Sequence, residues 1–261
     1  MMDVGTVILD LDGPVAQITI SNEARRNAMS LAMWQQLGEQ LSQLGDDVRC
    51  LVLQGAGDKA FVAGADISEF RGSRRSPVDV EHYDGCAEAA MNALHDLSIP
   101  TIAKISGFCI GGGMALALCC DVRLAEIGSQ FAIPAARLGL GYGATNIKHL
   151  LDAVSVPVAT DMLVSARRFS AEEALQMGLV NRIYPPDQFA AQVGRYVADI
   201  ARNAPLTVQA AKRTIRELTK IRPDADLALC KDLIAACFAS EDYLEGMTAF
   251  AEKREPQFKG R

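Results

Sequence analysis

One stretch near the middle of the chain restricts the fold more than any other. Residues 101–105 (TIAKI) read as a buried strand, and three glycines at 111–113 then open an apolar run that Asp121 closes. Glycine loses more conformational entropy on folding than any other residue, so three together indicate a backbone that side chains would obstruct. The order of strand, glycines and helix is typical of α/β folds. The apolar run is too short and too rich in glycine to span a membrane.

Strand and helix patterns alternate up to about residue 185, and helical patterns follow. Apolar runs at 7–11 and 16–20 flank Asp12-Gly13, which predicts a β-hairpin. Ser30 is a good N-cap for a helix that ends near residue 44. The other predicted elements are strands over 50–54, 122–125, 130–133 and 180–184, a loop over 58–78, and helices over 79–97, 187–203, 205–219, 226–239 and 241–253. The pattern predicts an α/β core followed by a helical C-terminal region.

Composition excludes several classes of function. The 261 residues carry a formal net charge of −6 and only short basic clusters, which argues against nucleic acid as a partner. The three histidines are scattered and the seven cysteines form no C-x-x-C pair, so neither a metal site nor a disulfide framework is predicted. Cysteines within apolar runs indicate reduced thiols, and the acidic start of the chain is unlike a signal peptide. We therefore expect a cytoplasmic protein that contacts neither membrane nor nucleic acid.

The glycine run places amide groups at a helix start, where the dipole is positive and the first N–H groups lack partners. Such a position suits an anion or a developing oxyanion. Neither a phosphate loop nor a dinucleotide fingerprint matches, because no Gly-Lys-Ser/Thr follows and the glycine spacing differs. Close packing of helix against sheet explains the glycines equally well. A second stretch, KAFVAGADI at 59–67, favours the oxyanion interpretation, because its small residues let a second amide approach the same oxygen.

Four stretches occur together in a characteristic order. They are KAFVAGADI, GFCIGGGMALALCCDVRLA, FAIPAARLGL and FSAEEALQMGLVNRIYP. In this order and spacing they resemble the enoyl-CoA hydratase/isomerase (crotonase) superfamily, and the resemblance covers about residues 6–260. It implies a crotonase-like α/β fold, with a spiral of β-β-α turns over residues 1–190 and a C-terminal helical region over 191–261 used in trimerisation. The expected assembly is a homotrimer or a dimer of trimers.

The resemblance also implies an acyl-CoA thioester as substrate, with no metal and no cofactor besides the CoA that the substrate carries. The thioester oxygen would lie between the backbone amides of Ala65 and Gly112, where each donor stabilises enolate charge by roughly 3–4 kcal/mol. The tail GMTAFAEKREPQF resembles the family segment that reaches CoA across a subunit boundary. The substrate and CoA contacts that the resemblance implies are Ala24, Arg26, Ala28, Ala63, Asp66, Ile67, Gly111, Phe250 and Lys253.

The sequence departs from the hydratase pattern at both positions where the family carries its catalytic glutamates. Ala115 and Ala135 occupy them, and alanine can neither hold a water molecule nor move a proton. Some family isomerases place an aspartate where this chain has Gly143. We therefore expect a poor hydratase of simple enoyl-CoA substrates.

Other polar residues offer alternatives. Tyr142 matches a tyrosine of family decarboxylases that act on methylmalonyl-type CoA esters, and its alternative role is to pack its ring against the acyl pocket. Further candidates are Arg137, Asn146 and Lys148 beside the pocket, and Glu81, His82, Asp84 and Glu88 on a helix face predicted to be solvated. Three functions remain open: a hydratase or isomerase with relocated acid–base groups, a decarboxylase that uses Tyr142, and an acyl-CoA-binding protein without catalysis.

Overall fold

The structure is a computed structural model, and it describes residues 5–66, 77–218, 235–236, 238–254 and 256–257. The strands are β1 (Thr6–Asp12), β2 (Val15–Ser21), β3 (Cys50–Gly55), β4 (Ala60–Val62), β5 (Thr101–Ile105), β6 (Phe108–Ile110), β7 (Val122–Glu126), β8 (Gln130–Ala132), β9 (Phe169–Ser170) and β10 (Arg182–Tyr184). The helices are α1 (Leu31–Ser42), α2 (Pro77–Asp96), α3 (Gly112–Cys119), α4 (Ala144–Ala153), α5 (Val156–Ser165), α6 (Ala171–Gln176), α7 (Pro186–Arg202), α8 (Pro205–Leu218) and α9 (Glu241–Glu252), with 3₁₀ turns at Glu23–Arg25 and Pro134–Leu138. The mixed α/β architecture with a helical C-terminal region is confirmed.

A six-stranded sheet has the order β1-β2-β3-β5-β7-β10. Its first two strands form the predicted antiparallel hairpin, which turns at Gly13 with a φ of +56°. The remaining neighbours pair in parallel, as helical crossovers require. One face of this sheet is covered by α7, which presents Phe189, Val193 and Val197 at helical spacing. That helix runs through residue 190, where the sequence places the boundary between core and C-terminal region.

A second sheet, with the order β4-β6-β8-β9, holds the glycine-rich segments. The sequence predicts only β8 of these four strands. The loop predicted over 58–78 is wrong where it covers β4, and β6 and β9 were not predicted at all. These strands have only two or three residues each, which is too few to show the period of two that identifies a strand. Parallel pairing aligns β4 with β6 and β6 with β8, so the loops that follow them meet at one edge.

The C-terminal helix α9 packs on the 3₁₀ turn Pro134–Leu138 of the same chain. Gly246 makes this possible, because a Cβ there would collide with the carbonyl oxygen of Leu138. Gly139, with a φ of +65°, passes equally close to the backbone of Asp242. The contact brings Phe250 beside the edge of the second sheet.

Candidate active site

The turn between β6 and α3 explains the first of the three glycines. Gly111 has a φ of +54° and a ψ of −113°, a backbone region that is open to glycine and strained for other residues. Its N–H donates to the Ala132 carbonyl at 2.9 Å, and its own carbonyl accepts from Ala115 N–H at 3.0 Å. The chain therefore changes from strand to helix within one residue.

The other two glycines have different roles. A Cβ at Gly113 would collide with the Val62 carbonyl oxygen, so this position keeps α3 in direct contact with β4. A Cβ at Gly112 meets nothing closer than 3.7 Å, and the first atom in its path is the amide nitrogen of Ala65. Gly112 therefore has free space on the side that faces Ala65. Close packing of helix against sheet does not explain why a glycine is present at this position.

The segment after β4 is held by a parallel bridge between Met29 and Ala65. Met29 N–H donates to the Gly64 carbonyl at 2.9 Å, and Asp66 N–H donates to the Met29 carbonyl at 2.8 Å. In a parallel bridge the residue between the two bonded neighbours turns its own N–H and C=O to the opposite side. The Ala65 amide therefore points away from Met29, on the side where Gly112 lies.

Two backbone donors consequently converge from different segments. Gly112 is the first residue of α3, so its N–H has no intrahelical acceptor and lies at the positive end of the helix dipole. Within the described residues, no acceptor faces the amide of Gly112 or that of Ala65. A pair of this kind can hold one acceptor oxygen, and it favours an oxygen that develops negative charge.

Both amides open onto a cavity of about 430 Å³. Its wall is mainly apolar, and it includes Ala115 and Ala135, the two residues that the sequence resemblance matches to catalytic glutamates. Other apolar contributors are Trp34, Met91, Ile110, Ile133, Leu138, Phe238 and Phe250. No lysine, arginine or histidine is among the lining residues that the structure describes.

Tyr142 lies on the same wall, where its ring lines the cavity. The hydroxyl oxygen is buried, and it has no hydrogen-bond partner in the described part of the chain. Burial raises the pKa of this phenol far above its usual value, and the thiols of Cys119 and Cys109 raise the pKa further. Tyr142 is therefore a neutral donor without an acceptor.

Acidic groups approach the cavity from α2. The prediction of a solvated face holds for Glu81 and His82, which are exposed. Glu88 is exposed as well, whereas Asp84 is half-buried, so the prediction is wrong for Asp84 only. Both Asp84 and Glu88 line the cavity. Glu88 accepts a hydrogen bond from Thr145 Oγ1 at 3.3 Å across the opening.

The candidates near α4 divide into two groups. Asn146 lines the cavity, as predicted. Arg137 is exposed on the 3₁₀ turn, and Lys148 forms an ion pair with Asp152 one helical turn away. Neither of these two cations is among the lining residues, so neither faces a ligand held in the cavity.

The predicted CoA contacts lie in two places. Ala63, Gly111 and Phe250 line the cavity, and Phe250 does so within its own chain. In the ARRNA loop, residues 24–28, Ala28 is buried and Ala24 is exposed. Ile67 lies outside the described residues.

The remaining three predicted contacts lie outside the cavity wall. The Arg26 guanidinium is 5.0 Å from the ring centroid of Phe108, and the Arg26 carbonyl accepts from Ala63 N–H at 3.1 Å. Asp66 is buried and forms an ion pair with Arg25. Lys253 is exposed and caps the end of α9.

Two aromatic residues of this site have no signal in the sequence. Trp34 and Tyr83 are almost fully buried and line the cavity beside Ala65. Trp34, the single tryptophan of the chain, fits the apolar spacing of α1, which gives no sign of a hydrogen-bonding role. Tyr83 likewise fits the buried apolar face of α2, together with Ala87, Met91 and Leu94, so nothing in the local pattern distinguishes it.

Two further findings concern the residues that the structure describes. They contain no group of histidine, cysteine and carboxylate side chains placed to hold a metal ion. None of their helices is both long enough and apolar enough to cross a bilayer.

Comparison with known proteins agrees with this geometry. The family profile "Enoyl-CoA hydratase/isomerase" matches residues 11–261. The short-chain-enoyl-CoA hydratase of Clostridium acetobutylicum is 32% identical over 263 residues, which is 100% of both chains. An enoyl-CoA hydratase/carnithine racemase structure from Magnetospirillum magneticum has a TM-score of 0.81 at 32% identity and covers 100% of this chain and 97% of that one. A methylmalonyl-CoA decarboxylase complexed with 2S-carboxypropyl-CoA has a TM-score of 0.89 at 26% identity and covers 100% of both chains.

The chain therefore belongs to the enoyl-CoA hydratase/isomerase family. The crotonase-superfamily resemblance of its four sequence stretches is confirmed, and so is the fold class that the resemblance implies.

Proposed function

We propose that this protein binds an acyl-CoA thioester and stabilises its enolate, which it forms by removing CO₂ from a malonyl-type CoA ester. The observation that carries the proposal is the position of Ala115 and Ala135. Both line the cavity onto which the Ala65 and Gly112 amides open. The two amide donors are thus present, whereas alanine occupies both positions at which the hydratase pattern has a glutamate. Hydration needs an acid and a base at a water molecule, whereas loss of CO₂ needs neither.

In the proposed step the bond between C2 and the carboxylate carbon breaks. Its electron pair moves to C2 and the thioester oxygen as CO₂ leaves, and the two amides donate to the resulting enolate oxygen. A proton from water then adds to C2, which gives the shorter acyl-CoA. The Tyr142 phenol, which burial keeps protonated, donates to the bound substrate after the side chain turns its hydroxyl toward the cavity, and it thereby gains the acceptor that it lacks in the free protein.

The charge of the cavity supports the same reaction. A carboxylate that enters it loses much of its hydration and meets no cation among the described lining residues. Glu88 adds a further carboxylate at the wall. Such surroundings destabilise a bound carboxylate. The destabilisation disappears as the carboxylate becomes neutral CO₂, so the environment favours the transition state over the bound substrate. The structural similarity to a methylmalonyl-CoA decarboxylase is consistent with this chemistry.

Hydration with relocated groups is the second candidate, because Asp84 and Glu88 both line the cavity. Glu88 is already hydrogen-bonded to Thr145, and a water molecule between the two carboxylates would have an acid and a base available. The names of relatives such as the hydratase of Clostridium acetobutylicum favour this alternative. Acyl-CoA binding without catalysis is the third candidate.

The remaining features of the proposal concern CoA and the assembly. CoA lies against the ARRNA loop and the segment Ala63–Ile67, and the tail residues Phe250 and Lys253 contact it in a homotrimer or a dimer of trimers. The reaction needs no metal and no cofactor beyond the CoA of the substrate. The free thiols of the described cysteines fit a reducing compartment, so we place the protein in the cytoplasm.

Product analysis with two substrates tests the proposal. The purified protein is incubated in parallel with methylmalonyl-CoA and with crotonyl-CoA, and acyl-CoA products and CO₂ are measured. We expect propionyl-CoA and an equal amount of CO₂ from the first, with crotonyl-CoA left unchanged. Formation of 3-hydroxybutyryl-CoA at enzymatic rates would favour the second candidate, and tight binding of both esters without turnover would favour the third. Failure to bind either ester would overturn all three.

A further inference from the structure

A chain of buried hydrogen bonds leads from two helices to the segment that carries the Ala65 amide. Trp34 Nε1 on α1 donates to the Tyr83 hydroxyl on α2 at 2.9 Å, and that hydroxyl donates to the Met29 carbonyl at 3.0 Å. Both rings are at most 3% exposed, and Met29 is fully buried. Hydrogen bonds shielded from water to this degree are stronger and more directional than exposed ones.

The Met29 carbonyl is the last acceptor in this series of hydrogen bonds, and Met29 is bridged to Ala65. It accepts from the Tyr83 hydroxyl and also from Asp66 N–H at 2.8 Å, so both of its lone pairs are used. Met29 N–H donates in turn to the Gly64 carbonyl at 2.9 Å. The residues on either side of Ala65 are therefore both bonded to Met29, whose own orientation depends on Tyr83.

We propose that Tyr83, oriented by Trp34, is a positioning residue that fixes the direction of the Ala65 amide; this inference rests on the proposed role of that amide as a donor to the thioester oxygen. The bridge between Met29 and Ala65 is an isolated one, outside the named strands. The other backbone hydrogen bond between these two segments, from Ala63 N–H to the Arg26 carbonyl, does not involve Met29, so it leaves the Met29 peptide dependent on the Tyr83 hydroxyl. Rotation of the Met29 peptide would carry Gly64 and Asp66 with it and turn the Ala65 N–H between them. Hydrogen bonds weaken steeply as the donor angle departs from linear, and small displacements of catalytic groups have large effects on rate.

The substitution Tyr83→Phe removes the hydroxyl and keeps the ring that lines the cavity. Its test uses butyryl-CoA with a ¹³C-labelled thioester carbonyl, a ligand that has no carboxylate to lose and is therefore not turned over. Isotope-edited infrared difference spectroscopy measures how far binding lowers the carbonyl stretching frequency, which reports the strength of the donors on that oxygen. Tyr184→Phe is the matched control, because Tyr184 lies on β10 and packs with Phe189, away from the cavity.

We expect Tyr83→Phe to show about half of the wild-type frequency shift while it binds butyryl-CoA within about threefold of wild type. The Tyr184→Phe variant should show the full shift. For methylmalonyl-CoA, kcat should fall about tenfold in Tyr83→Phe, with KM changed less than about twofold, because the loss is in transition-state stabilisation.

Removal of the Tyr83 hydroxyl alone leaves the Trp34 Nε1 donor buried without its acceptor, which can impair folding. The double variant Trp34→Phe/Tyr83→Phe removes both the donor and its acceptor, so it should fold even if the single variant does not. It should show the same reduced shift of the carbonyl stretching frequency. An undiminished shift in a folded variant that lacks the Tyr83 hydroxyl would overturn the inference and leave the proposed function intact. Wild-type protein that binds butyryl-CoA with no shift at all would instead refute the amide pair, and the inference with it.

Discussion

The three consecutive glycines are not equivalent, although they are indistinguishable in the sequence. Gly111 is needed for its backbone conformation and Gly113 for the contact of α3 with β4, whereas Gly112 has free space on the side of Ala65. Of these three properties, only the free space beside Gly112 concerns the proposed catalysis. The sequence leaves packing and anion binding as equal explanations. In the structure packing accounts for Gly113, and the anion-binding role remains a proposal for Gly112.

Alanine substitutions should separate these roles. In Gly113→Ala the new Cβ collides with the Val62 carbonyl, so the free energy of unfolding should fall by about 2–4 kcal/mol. In Gly112→Ala the nearest atom is 3.7 Å away, so stability should change by less than about 1 kcal/mol. Its methyl group stands beside the Ala65 amide, however, so thioester turnover should fall by at least about 100-fold. Chemical denaturation and steady-state kinetics measure the two effects, and equal loss of stability in both variants would contradict the assignment.

Tyr142 should show a conflict between stability and activity. Its buried hydroxyl lacks a partner within the described residues, so Tyr142→Phe should raise the free energy of unfolding of the ligand-free protein by about 1 kcal/mol. The same change removes the neutral donor proposed for substrate, so kcat for decarboxylation should fall roughly 10- to 100-fold. Thermal unfolding measures the change in stability, and steady-state kinetics on the same preparation measure the change in kcat. A destabilised variant with unchanged kcat would show that the tyrosine only packs the pocket.

Sequence reasoning at this scale succeeded where a residue type is tied to a backbone requirement. Ala65 and Gly112 follow from the family resemblance of their motifs, and in the structure the two residues lie side by side at the cavity wall. Trp34 and Tyr83 could not be predicted, because their importance depends on hydrogen bonds between residues 49 positions apart. An apolar periodicity predicts that such residues are buried, and it contains no information about their partners.

At the scale of elements, the long helices of the described residues and the longer strands of the six-stranded sheet were predictable because each has a clear period. The helix predicted over 226–239 lies mostly outside the described residues. The hairpin at Gly13 and the Ser30 cap of α1 are local features, and both are present as predicted. The second sheet was predictable only in β8. Its strands are short, and the bonds that define them come from distant parallel partners, so nothing in their own sequence distinguishes them from loops.

The contact between α2 and α4 contains two histidines that no sequence pattern associates. The rings of His95 and His149 stack with centroids 4.6 Å apart, and His149 Nδ1 lies 3.6 Å from the Cys119 thiol. Burial, with Arg216 and His149 nearby, lowers the pKa of His95 to about 4, against the opposing effect of nearby acidic groups. The pKa of His149 is also lowered, first by burial. Both rings are therefore neutral in the folded protein near pH 7.

This arrangement predicts a loss of stability in acid. An unfolded histidine has a pKa near 6.5, so between about pH 6.5 and 4 the unfolded chain binds protons that folded His95 does not. The free energy of unfolding should be constant above this range and decrease as the pH falls through it, by about 1–2 kcal/mol from His95 after allowance for its partial exposure. Denaturation at several pH values measures the slope. His95→Gln should flatten it, whereas His82→Gln, at an exposed histidine of the same helix, should not; equal slopes in both would contradict the account.

On the scale of the whole molecule, several helices expose large apolar side chains. Leu206 and Ile215 of α8 are 79% and 63% exposed, and Val164 of α5 is 74% exposed. Residues of this kind commonly mark contacts between subunits. We expect a homotrimer or a dimer of trimers, measured as mass by light scattering, and Leu206→Asp/Ile215→Asp should reduce that mass. A wild-type mass of one chain, 28.0 kDa, at micromolar concentration would contradict the expected assembly.

The central claim is that the scaffold keeps the enolate-stabilising amides and lacks only the two glutamates. The most direct measurement is crotonyl-CoA hydration by the wild-type protein and by the variant Ala115→Glu/Ala135→Glu, with folding verified by circular dichroism. Both alanines line the cavity beside the amide pair, so the new carboxylates should hold a water molecule next to the substrate. We predict no detectable hydration by wild type and a measurable gain in the variant. Hydration by wild type at ordinary enzymatic rates, abolished rather than increased in the variant, would contradict the claim.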